Sequence, residues 1–395
     1  MSGQVWSHAR DRLTEGRCRL RITMFGLTLS SSWGNGHATP YRALIRALNR
    51  LGHQVTFYER DVEYYALRRD FRTVPWCELI LYENWEEVRA QALNRAATSD
   101  VVITASYCPG GARVNDDVLE LSRPLHVFYD LDTPITLKGL REGELDYVRR
   151  DQLPAFELVL SWTGGAALKQ LESEFGVRMA RPLFGCVDPD DYKPTTTDER
   201  FQCALSYMGT YAADRQAKLD SLFLEPVRQM PNEQFLLAGT LYPWSWQWPQ
   251  NVRRFDHVAP ADHPALYGSA RLTLNLTRAE MAASGYCPSG RLFEAAACGA
   301  AVVSDWFDGL DSFFTPGDEI VLAQSSTDVT AAVRRDRAEL AQIGRAARVR
   351  TLDEHTGMHR AQQMLTYFNQ ASGAQLSARS AQQNRERFGT PLGAA

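Results

Sequence analysis

The sequence lacks long apolar runs, paired cysteines and a dominant sign of charge. No apolar run approaches the roughly 18 residues of a membrane span. The first 20 residues carry arginines but no apolar segment, so we expect neither an integral membrane segment nor a signal peptide. The seven cysteines form no Cys-x-x-Cys pair, which excludes a zinc-finger spacing or disulfide framework and indicates a reducing, cytoplasmic location. The net charge of −4 offers no general basic surface for nucleic acid.

The remaining composition is typical of a soluble globular protein. With 395 residues, 44% apolar and 23% charged, the chain is long enough for two or three domains. Short β-rich runs, such as residues 20–25, alternate with helical patterns, such as residues 37–51. This alternation predicts parallel sheets whose two faces are covered by helices. A stretch rich in Pro, Asp and Thr, residues 185–198, separates two such halves, and we expect a ligand-binding cleft between them.

Residues 284–303 are typical of a loop, a helix and a buried strand in sequence. A helix beginning at Ser289 and Gly290 would present free N–H groups and a positive dipole end, which bind phosphate. Arg291 has the planar fork that suits a diphosphate. Glu294, one turn further, could accept hydrogen bonds from a ribose diol. The alternative interpretation is a capped core helix with an Arg291–Glu294 surface pair.

This segment resembles the donor-binding helix of GT-B glycosyltransferases, and especially the CgeB-like family. The resemblance extends over residues 20–369 and also depends on residues 33–43, 52–61, 128–134, 187–194 and 207–216. Retaining relatives carry two glutamates separated by seven residues. Glu294 matches the second of these, whereas Tyr286 occupies the first position. Retention or inversion at the sugar is therefore left open.

The resemblance implies a GT-B fold, in which two Rossmann-like parallel-sheet domains face each other across a cleft. It implies a nucleotide-sugar co-substrate, with a UDP-sugar favoured, no tightly bound cofactor and no metal. The acceptor is a saccharide, a peptide or a small metabolite. The expected division is a flexible lead-in (1–18), an acceptor domain (19–186), a linker (187–200), a nucleotide-sugar domain (201–355), a helix crossing back to the first domain (356–371) and a mobile tail (372–395).

Donor-binding candidates come from the second half. Small residues at the end of its first strand would admit a nucleotide, and arginines supply charge for phosphates. The full set of donor candidates is Gly209, Thr210, Tyr211, Arg215, Arg278, Tyr286, Ser289, Gly290, Arg291 and Glu294.

Acceptor and catalytic candidates come from the first half. The loop of Trp33, Gly34, Asn35 and Gly36 lets backbone approach a ligand, and His37 after it is a candidate general base or hydrogen-bond donor. The alternative for His37 is a purely structural hydrogen bond.

Two carboxylates follow a predicted strand of the first half. Asp130 and Asp132 should stand at the cleft rim, where one of them could take a proton from an acceptor hydroxyl. A metal site of the Asp-x-Asp type belongs to a fold with one nucleotide-binding domain, so we favour acceptor chemistry. Helix capping is the structural alternative for Asp132.

Three further functions fit parts of the pattern. A dinucleotide fingerprint would use the glycines at 34 and 36 with Glu59 on a ribose, but Thr39 occupies the third glycine position. Such a fingerprint would make the protein an NAD-dependent oxidoreductase. A nucleotide-sugar epimerase of GT-B fold and a non-catalytic surface or spore-coat protein are the second and third possibilities. Formation of a homo-oligomer is left open.

Overall fold

The computed structural model describes residues 19–243 and 245–373. The predicted lead-in, residues 1–18, lies outside the described residues, as do Trp244 and nearly all of the predicted tail.

The first half contains strands β1 Arg21–Gly26, β2 Gln54–Arg60, β3 Glu78–Tyr82, β4 Val101–Ala105, β5 Leu125–Asp130, β6 Leu158–Ser161 and β7 Ala180–Pro182. Its helices are α1 Ala38–Arg50, α2 Glu63–Ala66, α3 Trp85–Ala97, α4 Gly111–Val118, α5 Thr133–Glu142 and α6 Ala166–Phe175.

The second half contains strands β8 Cys203–Met208, β9 Phe235–Ala238, β10 Val252–Phe255, β11 Ala270–Asn275, β12 Val302–Ser304 and β13 Val321–Leu322. Its helices, with those that follow it, are α7 Gln216–Leu219, α8 Glu225–Gln229, α9 His263–Ser269, α10 Ala279–Ser284, α11 Gly290–Ala297, α12 Ser326–Val333, α13 Arg337–Glu354 and α14 Gly357–Ala371.

Two parallel sheets form within the described part of the chain, which confirms the predicted Rossmann-like architecture. The first has the order β3-β2-β1-β4-β5-β6-β7, and the second has the order β10-β9-β8-β11-β12-β13. All residues of β4 and β5 are buried, as expected for strands covered on both faces. The strand order reverses between β1 and β4 in the first sheet and between β8 and β11 in the second. Such switch points are where open α/β sheets bind ligands.

The apolar stripe of α1 shows how sequence periodicity builds these layers. Leu44, Ile45 and Leu48 are at most 1% exposed and pack into the core of the first sheet. Burial of each such side chain contributes about 1.5–3 kcal/mol. The same core also contains Met364 and Phe368 of α14.

The last helix therefore packs on the first half of the molecule. The backbone N–H of Gly357 donates to Val187 O at 2.9 Å, and the N–H of Val187 donates to His355 O at 3.2 Å. These bonds join the segment that leads from the first sheet to the second with the segment that returns to the first half at the start of α14. A Cβ at Gly357 would lie 2.4 Å from Ala43 O on α1, so only glycine allows this close approach.

The loop after β1 is fixed by a buried carboxylate on β2. Glu59 is fully buried, and its Oε1 accepts from Thr28 Oγ1 at 2.7 Å and from Ser30 Oγ at 2.6 Å. Its Oε2 accepts from the backbone N–H groups of Leu29 and Ser30 at 2.8 and 2.9 Å. The Glu59 carboxylate is therefore occupied by hydrogen bonds from the loop after β1, and the dinucleotide interpretation, which placed it on a ribose, is wrong.

We expect Glu59→Gln to lower the free energy of unfolding by about 2–4 kcal/mol, because it leaves a buried amide facing four hydrogen-bond donors. Urea unfolding measures this change. Glu63→Gln, at an exposed residue of α2, is the matched control and should change the free energy by less than about 0.5 kcal/mol. Equal effects of the two substitutions would contradict the role assigned to Glu59.

Candidate active site

A cleft of about 360 Å³ lies between the two halves, within the usual size range of ligand sites. Its walls are built by the segments that follow β1, β5, β8 and β11, so both topological switch points contribute to it. Most of the sequence candidates line it, namely Gly34, Asn35, Gly36, His37, Asp132, Gly209, Thr210, Arg215, Arg278, Ser289, Gly290, Arg291 and Glu294.

Asp130 does not stand at the rim of the cleft, and this expectation is wrong. It is the last residue of the wholly buried β5 and is itself fully buried. Its Oδ1 accepts from Thr136 Oγ1 at 2.7 Å and from the backbone N–H of Asp132 at 3.3 Å. Burial raises the pKa of the Asp130 carboxyl to about 6. Of the two carboxylates, only Asp132 therefore lines the cleft.

Three aromatic candidates also lie outside the cleft lining, because their rings pack elsewhere. Trp33 contacts the Arg68 guanidinium, 3.9 Å from its ring centre, and the His257 ring at 4.8 Å. Tyr211 packs against Tyr242 and Trp246 in the second half. Tyr286 lies against two glycines of neighbouring loops, where a Cβ would approach its ring within 2.7 and 2.4 Å. These glycines are Gly165 and Gly309.

His37 and Asp132 face each other on the first-half wall. His37 Nε2 lies 3.6 Å from Asp132 Oδ2, and the two side chains are 19% and 17% exposed. Burial is the main influence on the pKa of His37 and lowers it; Asp132 opposes this shift and Arg278 adds to it. The imidazole is therefore neutral at pH 7 and can accept a proton. Asp132 occupies the N-cap position of α5, but its side chain makes no capping bond, so the capping alternative is wrong.

The second-half wall holds Arg291 in a fixed position. Its Nε donates to Met208 O at 2.5 Å, and its Nη1 donates to Asn275 Oδ1 at 2.8 Å. Ser289 caps α11 by accepting from the backbone N–H of Arg291 at 3.4 Å. These contacts bind Arg291 to the ends of β8 and β11, and the predicted alternative of an Arg291–Glu294 surface pair is wrong.

Two further arginines join Arg291 at this wall. Arg278 Nε donates to Asp214 Oδ2 at 3.1 Å, and Arg215 Nη2 donates to Thr210 O. Three guanidinium groups and the N-terminus of α11 thus line one side of the cleft. Such an arrangement suits a diphosphate.

Glu294 is buried at 6% exposure and is engaged by both halves of the molecule. Its Oε1 accepts from Thr39 Oγ1 of α1 at 2.5 Å, and its Oε2 accepts from Tyr267 OH at 3.2 Å. The Thr39 bond therefore crosses the cleft. Sequence reasoning missed Thr39 and Tyr267 as partners of Glu294, because neither lies near it in the chain.

Sequence reasoning also missed Tyr107, which follows β4. Its hydroxyl donates to Asp132 Oδ2 at 2.8 Å, and its ring stacks on His37 with centroids 5.7 Å apart. The signal that could have found it was its position just beyond the carboxyl end of a strand next to the switch point.

The described residues contain neither a metal-type cluster of side chains nor a helix that could span a membrane. Within residues 19–243 and 245–373, no three or more His, Cys, Asp or Glu side chains lie together as a metal site would require. None of the helices in this part of the chain is long and apolar enough to span a membrane.

Residues 215–366 match a family model described as "Glycosyl transferase-like". Comparison with curated proteins gave no match. Solved structures with the same architecture include sucrose-phosphate synthase from Thermosynechococcus elongatus, at 14% identity and a TM-score of 0.63, covering 90% of this chain and 100% of that one. HepE of Anabaena, in complex with UDP and glucose, has the same identity and TM-score and covers 89% of this chain and 100% of its own.

An alpha-glucosyltransferase in complex with UDP-glucose and DNA is also similar in structure. It has 11% identity and a TM-score of 0.61, and the match covers 89% of this chain and 100% of that one. Similarities at this level of identity show the fold, which is GT-B. Together with the matched domain, they define the class of the protein: it is a glycosyltransferase.

Proposed function

We propose that the protein transfers a sugar from a nucleoside-diphosphate sugar, with a UDP-sugar favoured, to an acceptor hydroxyl without a metal ion. The observation that carries this proposal is the division of the cleft. One wall holds three arginines and a helix N-terminus, and the opposite wall holds the His37–Asp132 pair. The UDP and UDP-glucose complexes of the similar structures support uridine as the base.

The second-half wall would act on the donor. Arg291 and the N-terminus of α11 would stabilise the charge that develops on the leaving diphosphate, which is the task a metal ion performs elsewhere. Arg215 and Arg278 would add charge around the same group. Glu294 would accept hydrogen bonds from the ribose once Thr39 releases it. Closure of the two halves would keep water from the donor.

The first-half wall would act on the acceptor. The acceptor oxygen forms a bond to the anomeric carbon of the sugar, and the bond from that carbon to the diphosphate oxygen breaks. The neutral His37 takes the proton of the acceptor hydroxyl, and Asp132 stabilises the resulting imidazolium. The glycines at 34 and 36 let the acceptor approach the backbone beside His37.

The finer assignments belong to the same proposal. Membership of the CgeB-like subfamily is supported by the sequence segments described above, and a cytoplasmic location by the cysteine usage. We infer that residues 19–186 bind the acceptor, that residues 201–355 bind the donor, and that residues 356–371 return the chain to the first domain. The acceptor remains a saccharide, a peptide or a small metabolite.

A nucleotide panel tests the proposed function. The melting temperature is measured with UDP, GDP, dTDP, CDP, ADP and NAD, each with and without EDTA. A ligand that binds the folded state raises the melting temperature by mass action. We expect one nucleoside diphosphate, UDP, to give the largest rise, and EDTA to leave that rise unchanged. If NAD alone raised the melting temperature, or if none of the nucleotides raised it, the proposal would be overturned.

Glu294→Gln is expected to weaken UDP binding about 10- to 100-fold, because a ribose diol loses a charged acceptor. Isothermal titration calorimetry measures the dissociation constant. Glu199→Gln, at an exposed glutamate of the linker, is the control and should bind UDP like the wild type. Unchanged affinity in Glu294→Gln would remove Glu294 from the donor site.

A further inference from the structure

Tyr107 has a backbone conformation that tyrosine rarely adopts. Its φ of 63° lies in the left-handed region, which costs a non-glycine residue free energy. The residues on either side are fully buried and hold it there. The N–H of Ser106 donates to Tyr129 O at 3.0 Å, and the N–H of Cys108 donates to Ala105 O at 3.2 Å. The fold therefore maintains this conformation, and its consequence is the placement of the Tyr107 side chain.

That side chain contacts both members of the pair on the first-half wall. The hydroxyl of Tyr107 donates to Asp132 Oδ2 at 2.8 Å, and this is the same oxygen that lies 3.6 Å from His37 Nε2. The Tyr107 ring is inclined by only 19° to the His37 ring. Trp162 contacts His37 as well, with ring centroids 5.3 Å apart.

The carboxylate of Asp132 has a competing partner across the cleft. Arg278 on the second half acts electrostatically on both Asp132 and His37. Asp132 is one residue beyond the buried Leu131, and no helix-capping bond fixes its side chain. Among the described residues, the Tyr107 hydroxyl is the one hydrogen-bond donor to the Asp132 carboxylate, so its removal frees the carboxylate to turn away from His37. Among the described residues, Asp132 and Arg278 act electrostatically on His37, and the Tyr107 ring stacks on its imidazole.

We propose that Tyr107 is a positioning residue, which holds the Asp132 carboxylate toward His37 and thereby prepares His37 as the base. This inference rests on the proposed function for its catalytic meaning. It does not require that Tyr107 touch substrate. A tyrosine that served only to fill space would act through its ring, which phenylalanine retains.

The pKa of His37 reports this role without any substrate. Protein labelled with ¹³C and ¹⁵N at histidine is titrated by NMR, and the His37 signal is assigned by its absence in His37→Gln. We expect Tyr107→Phe to lower the pKa of His37 by about half a unit or more, because Asp132 no longer stabilises the imidazolium. In an Asp132→Asn background, Tyr107→Phe should cause no further change, since the two substitutions remove the same interaction.

Tyr147→Phe is the matched control. The Tyr147 ring lies 5.4 Å from that of Tyr107, but its hydroxyl bonds to Thr136 Oγ1 and not to Asp132. It should leave the pKa of His37 unchanged. With the acceptor that gives turnover, Tyr107→Phe should lower kcat about tenfold with little change in KM for the donor, since proton transfer is impaired and donor binding is not.

The outcomes separate the two proposals. An unchanged His37 pKa in Tyr107→Phe, or an equal shift in the Asp132→Asn background, would overturn the positioning role. Failure of the wild type to bind any nucleoside diphosphate would instead overturn the proposed function, whatever the titration shows. A shift in the NMR titration together with a loss of kcat in the same variant would support both.

Discussion

Replacing His37 with glutamine is expected to lower kcat about 10²- to 10⁴-fold, the range that general-base catalysis supplies. The dissociation constant of UDP should change less than about twofold, because the three arginines proposed to bind the diphosphate lie on the opposite wall. Measurement requires an acceptor, which screening of saccharides, peptides and small metabolites against the favoured donor would supply. Release of UDP then gives the rate.

The pH dependence of kcat in the same reaction is an independent test of His37 as the base. Burial lowers the pKa of His37, so the base is protonated only at acidic pH. We expect kcat to rise with pH through this lowered pKa and then level, and this rise should be absent from the residual activity of His37→Gln. His359→Gln is the control, because glutamine suits the capping box that His359 forms at the start of α14. If His37→Gln kept wild-type kcat, the base would lie elsewhere.

Arg291→Met is expected to lower kcat about 10²- to 10³-fold, because it removes a fixed donor from the leaving diphosphate. UDP binding should weaken as well, since ground state and transition state both carry this charge. Arg291→Lys should recover only part of the loss, because an ammonium group lacks the planar fork that contacts Met208 O and Asn275 Oδ1.

Arg291 also supports the second sheet, so stability must be measured in parallel. The melting temperature without ligand separates loss of folding from loss of binding. Arg345→Met, at an exposed arginine of α13, is the control for removal of a positive charge and should leave kcat and UDP binding unchanged. A folded Arg291→Met protein with normal UDP affinity and turnover would contradict the donor site.

Local patterns were sufficient to predict the architecture and the position of helix α11. Alternation of β-rich runs and helical patterns identified the parallel sheets, because buried parallel strands are apolar throughout. Ser289 and the glycine at 299 marked the two ends of α11, because serine is favoured at the N-cap of a helix and glycine just after its last residues. Helix boundaries were close: residues 37–51 were expected, and α1 is Ala38–Arg50.

The incorrect sequence predictions concern how deeply side chains are buried and which way they point. Asp130 and Asp132 are two residues apart, yet β5 buries the first and its end releases the second into the cleft. The burial of a side chain at the end of a strand depends on the packing of the neighbouring strands, which sequence spacing does not specify. The ring of Tyr286 points to glycines of other loops for a similar reason.

Contacts across the cleft were inaccessible to sequence reasoning. Thr39 and Glu294 are 255 residues apart, and their bond exists only because the two sheets face each other. Tyr107 reaches Asp132 because its backbone takes a left-handed conformation, and a tyrosine in the sequence does not predict such a conformation. Such contacts are set by tertiary structure and appear only when the fold is known.

The arginine-lined wall beside α11 is proposed to bind the diphosphate of a nucleotide sugar without a metal. Calorimetric titration of UDP into the wild type and Arg291→Met, both in EDTA, tests it most directly. We expect saturable binding of one UDP per chain in the wild type and clearly weaker binding in Arg291→Met. Absence of binding in the wild type, or equal affinity in the two proteins, would contradict it.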